Sequence, residues 1–191
     1  VTVSPAAARK RARWASSLLA ILILSPFLAW SLATVGLAPP GSTLICGFIG
    51  GPIGFLLLPE LSQETRLIKC SMTTVTARTL TGERTVDLRR IKSVRLHTGF
   101  GRGRVYRALV VCDEDGVRLG LTTVRSRRAL KRALQRIFTS TSGGPSVSMA
   151  SRALMNLAPR GHLIAHTVAS FLLHVVVLTL YVVAVLQFAG G

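Results

Sequence analysis

The chain has 191 residues, 49% of them hydrophobic and only 6% aromatic, with 24 Lys+Arg against 7 Asp+Glu and a formal net charge of +17. This apolar content excludes an acidic disordered solvator, and so few carboxylates leave little material for acid–base pairs or hard-metal cages. The positive charge sits before and between three long apolar blocks, the composition of a small membrane protein with a basic aqueous domain.

Residues 1–13 read as a basic cytoplasmic arm ending in Arg9-Lys10-Arg11-Ala12-Arg13. The run abuts an apolar stretch, so it reads as the flank of a transmembrane helix rather than a nucleic-acid patch. Residues 14–37 form the first span, with Trp14 at its interface and Pro26 in its middle. The stretch is too long for the apolar core of a signal peptide, which favours an uncleaved span. A turn of breaker residues, Ala38-Pro39-Pro40-Gly41-Ser42, leads to a short second span at about 43–58, so residues 14–60 make a two-helix transmembrane hairpin. The second span holds two overlapping G-x-x-x-G pairs, Gly47/Gly51 and Gly50/Gly54. Glycines at that spacing let helix backbones approach closely, which predicts a helix–helix packing face within the chain.

After a polar connector at 61–69 the character turns to β. Strands are expected at 71–80, 84–88, around Val94 and Leu96, at 105–112 and at 117–121. Asp113-Glu114-Asp115-Gly116 is a strong turn signal with a glycine free to take positive φ. Gly99-Phe100-Gly101-Arg102-Gly103 reads as a flexible loop that brings Arg102, Arg104 and Arg107 to anionic groups. The period then changes. Leu130, Ala133, Leu134, Ile137 and Phe138 fall on one helical face and Arg128, Lys131, Arg132 and Arg136 on the other, with Ser126 as the expected N-cap. Residues 139–162 read as a linker with a possible short interfacial helix. Residues 163–188 form the third span.

The stretch Glu83-Arg84-Thr85-Val86-Asp87-Leu88-Arg89-Arg90-Ile91-Lys92-Ser93-Val94, the Asp-Glu-Asp-Gly hairpin and the closing helix resemble the bacterial pleckstrin-homology-like domain of small bacterial membrane proteins. The resemblance covers about residues 66–138. It implies a non-catalytic β-domain of up to seven strands, bent and capped by a helix, that serves protein or membrane-surface interaction. The fold class expected is therefore an α+β membrane protein: three transmembrane helices, with a small antiparallel β-domain and its amphipathic helix inserted between the second and third spans.

No cysteine pair or His/Cys cluster has metal-ligand spacing, so no metal, cofactor or catalytic set is expected. His162, His166 and His174 lie on or before the third span. His166 and His174 are the intramembrane polar candidates, and the acceptor expected for His174 is a hydroxyl or carbonyl on a neighbouring helix. The basic surface favours the anionic leaflet over nucleic acid, because few aromatics accompany its cations. Lys/Arg bias puts the N-terminus and the β-domain in the cytoplasm and the C-terminus outside, in the inner (cytoplasmic) membrane. The function expected is binding or scaffolding: the domain engages anionic lipid headgroups, a membrane or cytoplasmic protein, or both. The alternative is a subunit of a membrane enzyme or transporter with His174 in its bundle.

Overall fold

The computed structural model describes residues 5–39, 41–57, 59–101, 104–140 and 144–190. In chain order the helices are α1 (Pro5–Thr34), α2 (Ser42–Ile45), α3 (Gly51–Leu57), α4 (Val124–Ser140), α5 (Met149–Leu154) and α6 (Gly161–Gly190). The strands are β1 (Arg66–Cys70), β2 (Thr74–Thr79), β3 (Gly82–Asp87), β4 (Ile91–Gly101), β5 (Arg104–Asp113), β6 (Arg118–Leu121) and β7 (Ser146–Val147). The chain divides into a helical unit, residues 13–59 and 170–191, and a unit built on sheets, residues 1–12 and 60–169.

Among the described residues three stretches are long and apolar enough to cross a membrane: Lys10–Thr34, Ser42–Ser62 and Gly161–Gly190. At 1.5 Å rise per residue they extend about 38, 32 and 45 Å, each at least the thickness of a hydrocarbon core of about 30 Å. Helix α1 starts earlier than the apolar pattern alone suggested, so most of the expected arm is helical. Pro5 at its first position and the alanines at 6–8 favour that start.

In the helical unit, the proline in α1 is accommodated locally. Pro26 has no N–H for the carbonyl of Leu22 four residues back, and the Ser25 hydroxyl donates to that carbonyl instead, at 2.7 Å. In the second apolar stretch, α2 and α3 are joined by a π turn over Cys46–Gly50, where the N–H of Gly51 reaches back to the carbonyl of Cys46. Pro52 follows at once. It cannot donate to the Phe48 carbonyl and its ring crowds that group, so a wider turn is the local solution.

The four glycines of this stretch divide between two neighbours. A methyl group at Gly47 would fall 2.4 Å from Val185, and one at Gly51 2.1 Å from the Tyr181 hydroxyl, both on α6. At Gly50 it would meet Ser25 at 2.8 Å, and at Gly54 Ile23 at 2.5 Å, both on α1. Each G-x-x-x-G pair thus seats a different helix. Edge-on aromatic contacts complete the packing: Phe27 and Trp30 of α1 lie 5.3 and 4.9 Å from Phe188, and Phe55 lies 5.3 Å from Tyr181.

The other unit holds two sheets. One is antiparallel in the order β1-β2-β3; the other has the order β6-β5-β4-β7, with β7 parallel to β4. The five strands expected are β2 to β6; β1 and β7 are additional. Alternate residues turn inward, among them Val75, Val86, Val94, Leu109, Val111 and Leu119, and with Leu130 and Leu134 of α4 they form one core. Gly116 closes the β5–β6 hairpin at φ 76°, the positive value its turn calls for. Gly99 and Gly101 lie in β4 and not in a loop, since the β4–β5 pairing runs on to Gly101 opposite Arg104. Gly99 pairs with Tyr106, whose ring covers it so closely that a methyl group there would sit 2.0 Å from a ring carbon.

The segment 139–162, expected as linker and interfacial helix, instead extends this domain. β7 adds to β4, Ser148 caps α5 by accepting from the N–H of Ser151, and Ala150 and Met155 join the core.

Gly51→Leu is expected to lower resistance to unfolding in detergent by about 1–3 kcal/mol, because the side chain overpacks against Tyr181. Gly41→Leu, with nothing within 4 Å of the new Cβ, should leave it unchanged. Unfolding curves followed by circular dichroism compare the two.

Candidate functional site

Helix α4 has one apolar face and one strongly basic face. Leu130, Ala133 and Leu134 are buried in the core, and Ile137 packs against it. Phe138, expected on the same face, is 41% exposed and lies under the guanidinium of Arg152 at 5.4 Å. The helix carries Arg125, Arg127, Arg128, Lys131, Arg132 and Arg136 and no acidic residue.

The start of α4 is held from afar. The helix begins at Val124, two residues before the expected cap, and Thr123 fills the capping role by accepting from the N–H of Ser126 at 3.3 Å. Ser126 is buried instead, and its hydroxyl donates to Glu64 at 2.9 Å. The same carboxylate accepts from the N–H of Thr122 at 3.2 Å and the hydroxyl of Thr123 at 3.0 Å. Glu64 is thus a buried anion at the positive end of a helix whose first turn is otherwise basic.

A groove of about 620 Å³ runs between α4 and the β1–β2 turn. Its cations are Arg125, Arg128, Arg132 and Arg136; Cys70, Ser71, Met72, Val124 and Ala129 make up the rest of its wall. At about 100° per residue the four arginines fall within an arc of about 80°, and they span about 16 Å of helix. The opposite wall is well fixed. The Ser71 hydroxyl accepts from the N–H groups of Thr73 at 3.2 Å and Thr74 at 2.9 Å, and Arg136 donates across to the carbonyl of Met72 at 2.8 Å. Beyond Met72 a second hollow of about 430 Å³ is lined by Met72, Arg132, Gln135, Arg136 and Thr139.

The basic residues expected to act together are therefore distributed. Arg128, Arg132 and Arg136 line the groove; Lys131, on the same helix, does not; and Arg125 joins them unforeseen. Arg107 faces a different cleft of about 420 Å³ with Tyr106 and Arg127, and it donates to Thr167 at 3.4 Å. Burial pushes the Tyr106 phenol up. Arg102 and the side chain of Arg104 lie outside the described residues.

Two guanidiniums, Arg84 buried and Arg127 half-buried, serve the fold. Arg84 is 6% exposed and donates to the Arg118 carbonyl at 2.7 Å and to the Thr81 hydroxyl. Arg127 donates to the carbonyls of Leu121, at 3.4 Å, and Arg107. Desolvation pulls both cations below the usual arginine range, and Glu64 opposes it at Arg127.

The histidines part company. His166 belongs to the sheet-containing unit, its Nδ1 3.4 Å from the Thr98 hydroxyl. His174 belongs to the helical unit, and its Nδ1 lies 2.7 Å from the Ser170 carbonyl one turn back in its own helix. Gly47, Gly50, Gly51 and Gly54 are the contact rows already described. Among the described residues no group of three His, Cys, Asp or Glu is positioned as a metal-ligand set.

Comparison with known protein families, with curated proteins and with solved structures finds no match to this chain.

Glu64→Ala should destabilise the sheet-containing unit by about 1–3 kcal/mol, because the hydroxyl of Ser126 loses its buried carboxylate acceptor. Glu64→Gln keeps an acceptor oxygen and should cost less. Thermal unfolding of the two variants and the parent chain gives the order.

Proposed function

We propose that this chain is a non-catalytic membrane-anchored binding protein: three spans in the inner membrane hold a pleckstrin-homology-like domain at the cytoplasmic face, where its basic surface engages anionic lipid headgroups. The observation that carries the proposal is α4, six cations and no anion on a helix fixed to a compact β-core, in a chain whose other long helices are apolar. The pleckstrin-homology-like assignment is supported by six antiparallel strands in two successive sheets followed by one helix. A full domain of that type has seven strands, and β7, which comes after the helix and runs parallel, is a departure from it.

Each basic residue near an anionic surface contributes about 1 kcal/mol, screened within a Debye length of about 8–10 Å. The full chain in neutral-lipid nanodiscs should therefore bind anionic vesicles and release them as salt rises. Equal binding to neutral and anionic vesicles overturns the proposal.

Orientation follows from the flanks. Arg9, Lys10, Arg11 and Arg13 precede Trp14, the turn between the first two apolar stretches carries no charge, Arg66 and Lys69 follow the second, and Arg152 and Arg160 precede α6. In a chain freed of Cys46, Cys70 and Cys112, an impermeant thiol reagent on intact cells should miss Arg102→Cys and label Gly190→Cys. Labelling of Arg102→Cys places the domain outside and removes the cytoplasmic assignment.

A further inference from the structure

The row of arginines on α4 works against the helix that bears it. Five pairs of like charge lie three or four residues apart (Arg125/Arg128, Arg127/Lys131, Arg128/Lys131, Arg128/Arg132 and Arg132/Arg136), and such pairs destabilise a helix. Arg125, Arg127 and Arg128 also crowd its positive end. Among the described residues no acidic side chain lines the groove those side chains share. All four groove cations are arginine. Their guanidinium forks can bind a phosphate through paired N–H groups, a geometry that lysine does not offer. The groove is of small-molecule size, and its wall includes two exposed apolar side chains, Met72 at 69% and Val124 at 62%; Met72 also lines the adjoining hollow with Arg132 and Arg136.

We infer that the groove between α4 and the β1–β2 turn is a binding site for a phosphate-bearing ligand with at least two negative charges. Arg125, Arg128 and Arg132 hold the phosphate oxygens, and Met72 and Val124 contact the ligand body. The inference rests on α4 as the binding face and names the chemistry which that face accepts. A phosphomonoester lipid headgroup and a free diphosphate both supply that chemistry.

The test uses the full chain in neutral detergent, with inorganic pyrophosphate as one probe and phosphatidic acid doped into the micelles as the other, read by calorimetry and by thermal shift. Arg128→Gln/Arg132→Gln should weaken binding by about tenfold or more. Lys92→Gln/Arg95→Gln removes the same charge from exposed positions outside the groove and should leave binding unchanged. Arg128→Lys/Arg132→Lys keeps the charge, loses the fork and should fall between; it also serves if the glutamine pair disturbs folding. Binding of pyrophosphate at low salt identifies a soluble ligand, and binding of phosphatidic acid alone identifies a headgroup; either supports the site. Absence of binding to both probes overturns it. Equal weakening by the two glutamine pairs also overturns it, while leaving diffuse attraction to anionic membranes standing.

Discussion

Everything distinctive in the sheet-containing unit depends on holding a cationic helix against an apolar core. The opposing magnitudes can be compared. Five like-charge pairs at about 0.2–0.5 kcal/mol each disfavour α4 by about 1–2.5 kcal/mol. Burial of Leu130 and Leu134, both fully enclosed, returns about 1.5–3 kcal/mol each. The apolar face prevails, and Glu64 adds a fixed negative charge where the first turn most needs one. The helix is therefore anchored by one side and by one end; Arg127 also ties it to the carbonyls of Leu121 and Arg107, while Arg125, Arg128 and Arg132 stay exposed.

The helical unit solves a different problem with little polar material. Apolar helices with few polar side chains gain by close approach and by leaving no buried backbone group unpaired. The rows Gly47/Gly51 and Gly50/Gly54 provide the approach on two sides of one short stretch. The hydroxyls of Ser25 and Tyr181 provide the pairing: the first at the carbonyl bared by Pro26, the second to the carbonyls of Ile23 at 3.3 Å and Gly47 at 3.4 Å.

What was legible in the sequence followed periodicity. Val117, Leu119 and Leu121 alternate cleanly and form β6 and its approach; Leu130 and Leu134 keep helical spacing and are core. Strand β1 was not legible, because Arg66 to Cys70 lies at a sheet edge, is bulged between Leu67 and Lys69, and buries no side chain fully. Strand β7 has only two residues, too few to show a period. Arg84 opens the strand expected at 84–88 and nothing in the sequence marks it for burial, yet it is 6% exposed and its charge is met by carbonyl and hydroxyl groups brought to it by the fold. Of the groove, the helix face was readable and the wall was not: Ser71 and Met72 reach α4 across more than fifty residues of chain. Glu64 is hidden for the same reason, since its partners lie 58 to 62 residues away in sequence.

The π turn at Cys46–Gly50 makes the second apolar stretch sensitive to length as well as to composition. A π turn holds one residue more than an α turn, so deleting Phe48 or Ile49 would let it tighten while the segments on either side kept nearly the same facing. Pro52 would still leave one carbonyl without an N–H. Gly47 and Gly51 would come to lie three residues apart instead of four, and Gly50 and Gly54 would keep their spacing. The row seated on α6 would lose its alignment and the row seated on α1 would not, so the irregular turn is what lets one short stretch serve two neighbours independently.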